Sequence, residues 1–228
     1  MQMRRTDLLL QDLEDPFALF PLESVARSLQ QLVDGADESM LARMGPSGRA
    51  RKYWDVPTEL LHDEIGLLLG ASFVLGQATL TQSVAIINAI RTTNGVTSSL
   101  PSTKSEVLNL EAEIDTRTQL SHLVVVDTAA NYFKHYHEWP ADWSCAGGTP
   151  QQRRTIETCI ALGMTTGSLT DNMYRALGAL QSDQIGAVAI QKTIQRWRER
   201  LTRRLYSELK LHDPANEGLA SAAAASDA

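Results

Sequence analysis

The sequence predicts an all-α protein, an irregular helical bundle, and three observations carry that expectation. Apolar residues recur at three- and four-residue spacing along most of the chain. Residues that start and stop helices bracket those stretches. The β-branched run "LVVVD", residues 123 to 127, lies inside a longer helical pattern, so no segment reads as a strand.

The elements follow in order. Leu22, Val25, Leu29, Leu32 and Val33 form one helical stripe, opened by Pro21 and closed by Gly35. The polar, basic stretch "MGPSGRARKYWDVP" reads as a loop; it holds a short patch, Arg49 to Lys52, followed by Tyr53 and Trp54. Pro57 and Thr58 start the longest pattern, which runs to about Arg91 and as one helix spans on the order of 50 Å. Gly66, Gly70 and Gly76 either kink it or admit a neighbouring helix closely, so one helix and two both fit. "TTNGVTSSLPSTKSE" is a turn-rich break, and Thr103 with Glu106 fits a capping box at the next helix start. That helix is expected from Glu106 to His137, with room for a break near Asp115, and Pro140, Gly147 and Gly148 end it. Thr149-Pro150 opens a helix to about Leu162. A short helix spans Asp171 to Leu180, and a long one Ser182 to Leu211. Residues 1–212 are expected to form a single helical domain, and the small, polar residues 213–228 a disordered tail.

A 43% hydrophobic and 21% charged composition is that of a soluble globular protein. With a net charge of -6, whole-molecule electrostatics do not favour nucleic acid, which requires a local basic face. Cys145 and Cys159 lack metal-ligand spacing and read as unpaired thiols in a reducing cytoplasm, with no metal or cofactor implied. Leu8 to Leu10 is too short a run for a secretory segment. The most apolar window, Ile65 to Leu80, falls short of about eighteen apolar residues and contains Ser72, Gln77 and three glycines. It is expected to be a buried central helix, not a membrane span.

"DTAANYFKHYHEWPADW", residues 127 to 143, is the densest polar and aromatic segment. On a helix at about 100° per residue, Arg117, Asp127, Asn131, Lys134, His135 and Glu138 share one stripe. Ile114, Val125, Tyr132 and Tyr136 share an apolar face. The chemistry such a stripe suits is metal-independent RNA cleavage. A histidine moves the 2′-hydroxyl proton or protonates the leaving oxygen. Lysine, arginine or asparagine stabilises the charged phosphorane, and Trp139 and Trp143 stack on unpaired bases.

Ala130-Asn131-Tyr132-Phe133-Lys134-His135 resembles the Asn-x-x-Lys-His helix of divergent HEPN-like proteins, all-α domains of toxin–antitoxin and phage-defence systems. Arg117-Thr118-Gln119-Leu120-Ser121-His122 matches the spacing of that family's Arg-x4-His signature. On a continuous helix His122 falls far from Arg117, and a break near the motif realigns them. The resemblance implies a homodimer whose shared cleft cuts RNA without metal. It assigns acid/base work to His135 or His122, phosphate stabilisation to Arg117 and Lys134, and orientation to Asn131. An antitoxin or other protein is the further partner it implies.

The last helix carries an amphipathic seam, Ile190, Ile194, Trp197, Leu201, Leu205 and Leu209, with Lys192, Arg196, Arg198, Arg200, Arg203, Arg204 and Lys210 around it. Arg196, Arg200 and Arg203, with Trp139, are the candidate RNA contacts. Two readings follow. The first is a HEPN-like ribonuclease. The second is a non-catalytic helical interaction protein that dimerises or docks through this last helix, with the polar stripe a solvated face and the tryptophans clamping a loop.

Overall fold

Helices with a single apolar stripe have to find one another, and in the computed structural model they do so around one long helix. Residues 5–15, 20–44, 56–94, 100–139, 142–143, 149–180, 186–209 and 211 are described. In chain order the helices are α1 (Arg5–Glu14), α2 (Phe20–Met44), α3 (Val56–Asn94), α4 (Lys104–Asn109), α5 (His122–Lys134), α6 (Pro150–Ala161), α7 (Leu169–Ala179) and α8 (Ala187–Glu208). The all-α bundle expected from the sequence is what forms. Among the described residues the sole β feature is an isolated antiparallel bridge, Ile114 to Ser121. The patch from Arg49 to Trp54, together with Pro140, Cys145, Gly147, Gly148 and the tail from Asp213, lies outside the described residues.

α3 is one unbroken helix of 39 residues, and α1, α2, α5, α7 and α8 all pack on it. Its glycines serve close approach, not bending. A Cβ added at Gly70 would lie 2.0 Å from the Phe133 ring of α5. At Gly66 it would lie 2.4 Å from Thr170 of α7, and at Gly76 2.7 Å from Ile190 of α8. By length and composition Pro57–Thr93 is apolar enough to cross a membrane, and 44% of its most apolar window is buried. The sequence expectation that this stretch falls short therefore holds only for uninterrupted apolar residues.

Two local expectations are corrected and a third is refined. α2 does not stop at Gly35; it runs on to Met44, because exposed Gly35 meets nothing within 4 Å and costs only its weak helix propensity. α1 was not foreseen, since its apolar content is a few leucines, yet Leu10 and Leu13 are buried in the core. The stretch expected to be helical from Glu106 to His137, with room for a break near Asp115, is two helices, α4 and α5, separated by residues 110–121. Buried Asp115 organises that break: its carboxylate accepts from Thr118 N at 3.0 Å and Thr118 Oγ1 at 2.5 Å. Glu111 and Gln119 take positive φ, +54° and +60°, which ends helical continuity at both sides of the turn. Two long-range bonds hold the segment there. Ser121 Oγ donates to Leu108 O at 2.8 Å, and Trp197 Nε1 to Leu110 O at 2.9 Å.

The foreseen caps are present. Thr103 with Glu106 closes a capping box on α4, and Thr149 with Gln152 closes another on α6, where Pro150 stands in the first turn. The α8 seam does not face outward. Ile190, Ile194, Trp197, Leu201 and Leu205 are fully buried against α1, α2, α3 and α5, so the expected docking role of this seam is withdrawn: the core already uses it.

Helix propensity and packing therefore pull Gly→Ala in opposite directions at two sites. Gly35→Ala is expected to stabilise by about 0.5–1 kcal/mol. Gly70→Ala is expected to destabilise by about 1–3 kcal/mol, since overpacking against Phe133 outweighs propensity. Urea unfolding midpoints of the two variants check the opposite signs.

Candidate functional site

The polar stripe of α5 meets an amide that α3 carries into the core. Gln77 is only 7% exposed, in a stretch, residues 65–90, that has no charged side chain. Its Nε2 donates to Asp127 Oδ1 at 2.7 Å, Asn131 Oδ1 at 2.9 Å and Asp127 O at 3.2 Å. Its Oε1 accepts from Lys134 Nζ at 2.6 Å. Lys104, in the first turn of α4, adds a bond from Nζ to Asp127 Oδ1 at 2.5 Å. Two lysines, one aspartate and two amides thus form a connected network. The spacing of residues 127, 131 and 134 on α5 makes it, because three and four residues on a helix return to one face.

The stripe does not hold together beyond that. His135 is the residue that ends α5, and its ring points outward, with Nδ1 3.0 Å from Glu138 Oε2. Arg117 is not on the helix; it sits exposed in the turn that Asp115 organises. The common face expected for Arg117 is thereby corrected. His122, at the first position of α5, is buried, 4% exposed, with Nδ1 3.4 Å from Glu113 Oε2. Neither ring nitrogen makes a well-aligned hydrogen bond. Burial, partly offset by the carboxylates of Glu113 and Asp115, holds this imidazole below its usual range, so it is neutral at pH 7. His122 and His135 are thirteen residues apart on α5, about 20 Å at 1.5 Å per residue. Arg117, His122 and His135 do not converge within one chain.

A solvent-open groove runs along α5 between α4 and α6. One part, of about 230 Å³, is lined by Asn131, His135, Glu138, Trp139, Thr149, Gln152 and Thr155. The adjoining part, of about 790 Å³, adds Lys104, Asp127, Arg154 and Glu157. Its cations are matched by carboxylates, so it offers no net positive channel for a phosphate backbone. Trp139 borders the groove but is spoken for: its ring stacks on Tyr132 with centroids 6.2 Å apart, and Nε1 donates to Tyr132 O at 3.0 Å. Trp143 is buried edge-on against the same ring at 6.0 Å. Both tryptophans fasten the end of α5 to the core. Tyr132 in turn accepts from Asn172 Nδ2 at 2.8 Å, and burial pushes its phenol up to about 12.

The basic face of α8 is largely consumed by internal bonds. Arg200 donates to Glu111 O at 2.9 Å and to Glu113 Oε1 at 2.6 Å. Arg204 binds Glu111 at 2.9 Å and Glu208 at 2.7 Å. Arg198 is buried and donates to Leu13 O at 3.0 Å and Asp12 O at 2.8 Å, capping the carbonyl end of α1. Arg200 is thus corrected from an RNA contact to a tie between α8 and residues 111–113. Lys192, Arg196 and Arg203 stay exposed. Burial raises the Glu113 carboxyl, yet the Arg200 bond and charge prevail and hold it below the usual range.

Against protein-family models, curated proteins and solved structures, the chain matches none. No comparison therefore adds a residue to the site, and its assignment stands on geometry alone. Among the described residues no group of three His, Cys, Asp or Glu is placed to hold a metal ion. Sequence reasoning missed Gln77 as the hub and Lys104 and Glu113 as partners. The signal for Gln77 was present only in part: it is one of three amides in the longest uncharged run, with Gln82 and Asn88, and the one at its middle.

Gln77→Ala is expected to cost about 1–3 kcal/mol, because it strands Lys134, Asn131 and part of Asp127 beside the core; chemical denaturation measures it. A second expectation concerns acid. With a folded pKa depressed below 6.5, His122 takes up its proton first in the unfolded chain. Its contribution to stability is intact above about pH 6.5 and is lost as pH falls toward the folded value. His122→Gln is expected to flatten that part of the curve of melting temperature against pH, while the contribution from Glu113, lost only below about pH 4.5, stays.

Proposed function

We propose that this chain is a non-catalytic helical interaction protein of HEPN-like resemblance. The observation that supports the reading best is the fate of the two imidazoles. One is buried and neutral at the start of α5, the other is exposed and paired with Glu138 at its end. Cleavage through a 2′-hydroxyl needs an acid, a base and a cation around one phosphate. Here the cations that would serve are occupied: Lys134 by Gln77, Lys104 by Asp127 and Arg200 by Glu113. The groove beside them is charge-balanced, which suits a protein surface better than an RNA backbone.

A second reading keeps the ribonuclease, with one specific feature in its favour. His135, Asn131 and Glu138 line the same open pocket, and the 3.0 Å His135–Glu138 contact is an acid–base couple within reach of solvent. In that reading a homodimer supplies the missing groups, His135 moves the proton, Asn131 orients the ribose and Lys134 leaves Gln77 to meet the phosphate. An antitoxin or other protein would then mask the pocket.

One assay separates the two. Purified protein is incubated with single-stranded RNA in EDTA, beside His135→Ala and Glu138→Gln variants that alter only exposed groups. The interaction reading expects equal, background-level cleavage for all three. A rate for the unaltered protein that falls on the order of 100-fold or more in His135→Ala would establish catalysis and end that reading.

A further inference from the structure

The outward face of α3 carries a heptad seam that nothing in the described structure covers. Leu60, Leu67 and Val74 recur every seven residues, and Ala71, Ala78 and Ala85 recur every seven between them. Four- and three-residue steps alternate from Leu67 to Ala78, the pattern by which one helix lies along another, and exposed Glu64 and Thr81 hold the two other positions of the line. Leu60 is 64% exposed and Leu67 56%, Ala78 and Ala85 are exposed, and Ala71 and Val74 are half-buried. The opposite side of the same helix is core, with Ile65, Leu69, Phe73, Leu80, Ile87 and Ile90 close to fully buried. α3 is therefore apolar on both sides, and only one side is satisfied within the chain.

We propose that a second copy of this chain covers the seam, with the two α3 helices antiparallel about a two-fold axis at the level of residue 76. This rests on the interaction reading above and names its surface and partner. Large and small residues are segregated along the seam, Leu60 and Leu67 in its first half and Ala78 and Ala85 in its second. Antiparallel pairing sets Leu67 of each copy over Ala85 of the other, and the small residues near the axis bring the helices close. Such a contact is self-complementary, as a two-fold interface has to be. Charge selects the same direction. Glu59, Asp63 and Glu64 are exposed at the start of α3. A parallel pair would crowd both acidic ends together, whereas an antiparallel pair moves each to the Arg91 end of its partner helix, about 40 Å from Glu64 along the axis.

A membrane surface fits this face poorly. Interfacial helices present bulky apolar residues flanked by lysine and arginine, and here the flank is acidic and half of the seam is alanine. The seam is about 38 Å long, and at a helix width of about 10 Å it offers roughly 400 Å² per copy. An interface of that extent belongs to the weak, reversible class, so the dimer forms and dissociates with concentration.

Sedimentation equilibrium of the full chain from micromolar to near-millimolar concentration tests this. The apparent mass is expected to climb from 25.1 kDa toward twice that value. Leu67→Lys and Ala85→Glu, both at exposed sites, are expected to stay monomeric with unchanged circular dichroism and melting behaviour at low concentration. Mixing the two variants is expected to restore the dimer, because Lys and Glu then face each other in the antiparallel register. A native chain that stays monomeric throughout, variants that dimerise as well as the native chain, or a mixture that stays monomeric would each overturn the proposal. So would pelleting of the native chain with phosphatidylcholine–phosphatidylserine vesicles that Leu67→Lys abolishes, in the absence of self-association. None of these results depends on RNA cleavage, so failure here and failure of the interaction reading in the cleavage assay are told apart.

Discussion

Close approach to α3 is the constraint on which the rest of the structure depends. Three glycines on one helix let α7, α5 and α8 come nearer than any side chain would permit, at Thr170, Phe133 and Ile190. Core density follows from that proximity: Phe73, Leu69, Ile87, Trp197 and Tyr132 fill the space around the approaching helices with almost no exposure. The position of α5 follows as well. Phe133 seated on Gly70 fixes the rotation of α5, and that rotation turns Asp127, Asn131 and Lys134 toward Gln77. The polar network is thus a consequence of packing, placed at the seam where α5 leaves the apolar interior.

What was legible in the sequence was local. Capping boxes at Thr103 and Thr149 involve residues three apart, so neither needed the rest of the fold to be recognised. The α5 stripe was legible as a face for the same reason, since residues 127, 131 and 134 are brought together by helical pitch alone. What that face touches was not, because Gln77 lies fifty residues away. The sequence left room for a break near Asp115, but what holds the break at residues 110–121 was illegible. It is held by Trp197 and Arg200 of α8 through bonds to the carbonyls of Leu110 and Glu111, and backbone acceptors leave no trace in a sequence. Once that break exists, Arg117 leaves the stripe, and the apparent Arg-x4-His pairing with His122 joins a turn tip to a buried position.

The arginines of α8 teach the same lesson about charge. A cluster of cations on an acidic protein suggests a surface awaiting an anion, yet Arg198, Arg200 and Arg204 have their acceptors within the chain. Two of the acceptors are carboxylates in the irregular segment that precedes α5, Glu111 and Glu113. Long cationic side chains here join α8 to the carboxylates and carbonyls of neighbouring segments. The nucleic-acid reading of this face loses its strongest members for a physical reason, while the apolar seam of the same helix, which fits a core or a dimer equally well by spacing, is taken by the core.

Arg198 also has a bearing on how the chain assembles. Its guanidinium binds carbonyls 185 and 186 positions earlier, so the first described helix is secured by the last. A contact that closes so large a loop carries a high entropic cost until the intervening helices have condensed. α1 is accordingly the element expected to dock late in folding and to release first in native-state fluctuations, uncovering Leu10 and Leu13 while the bundle behind them stays intact. Amide exchange at the start of the chain would then proceed on a clock of its own, faster than global unfolding.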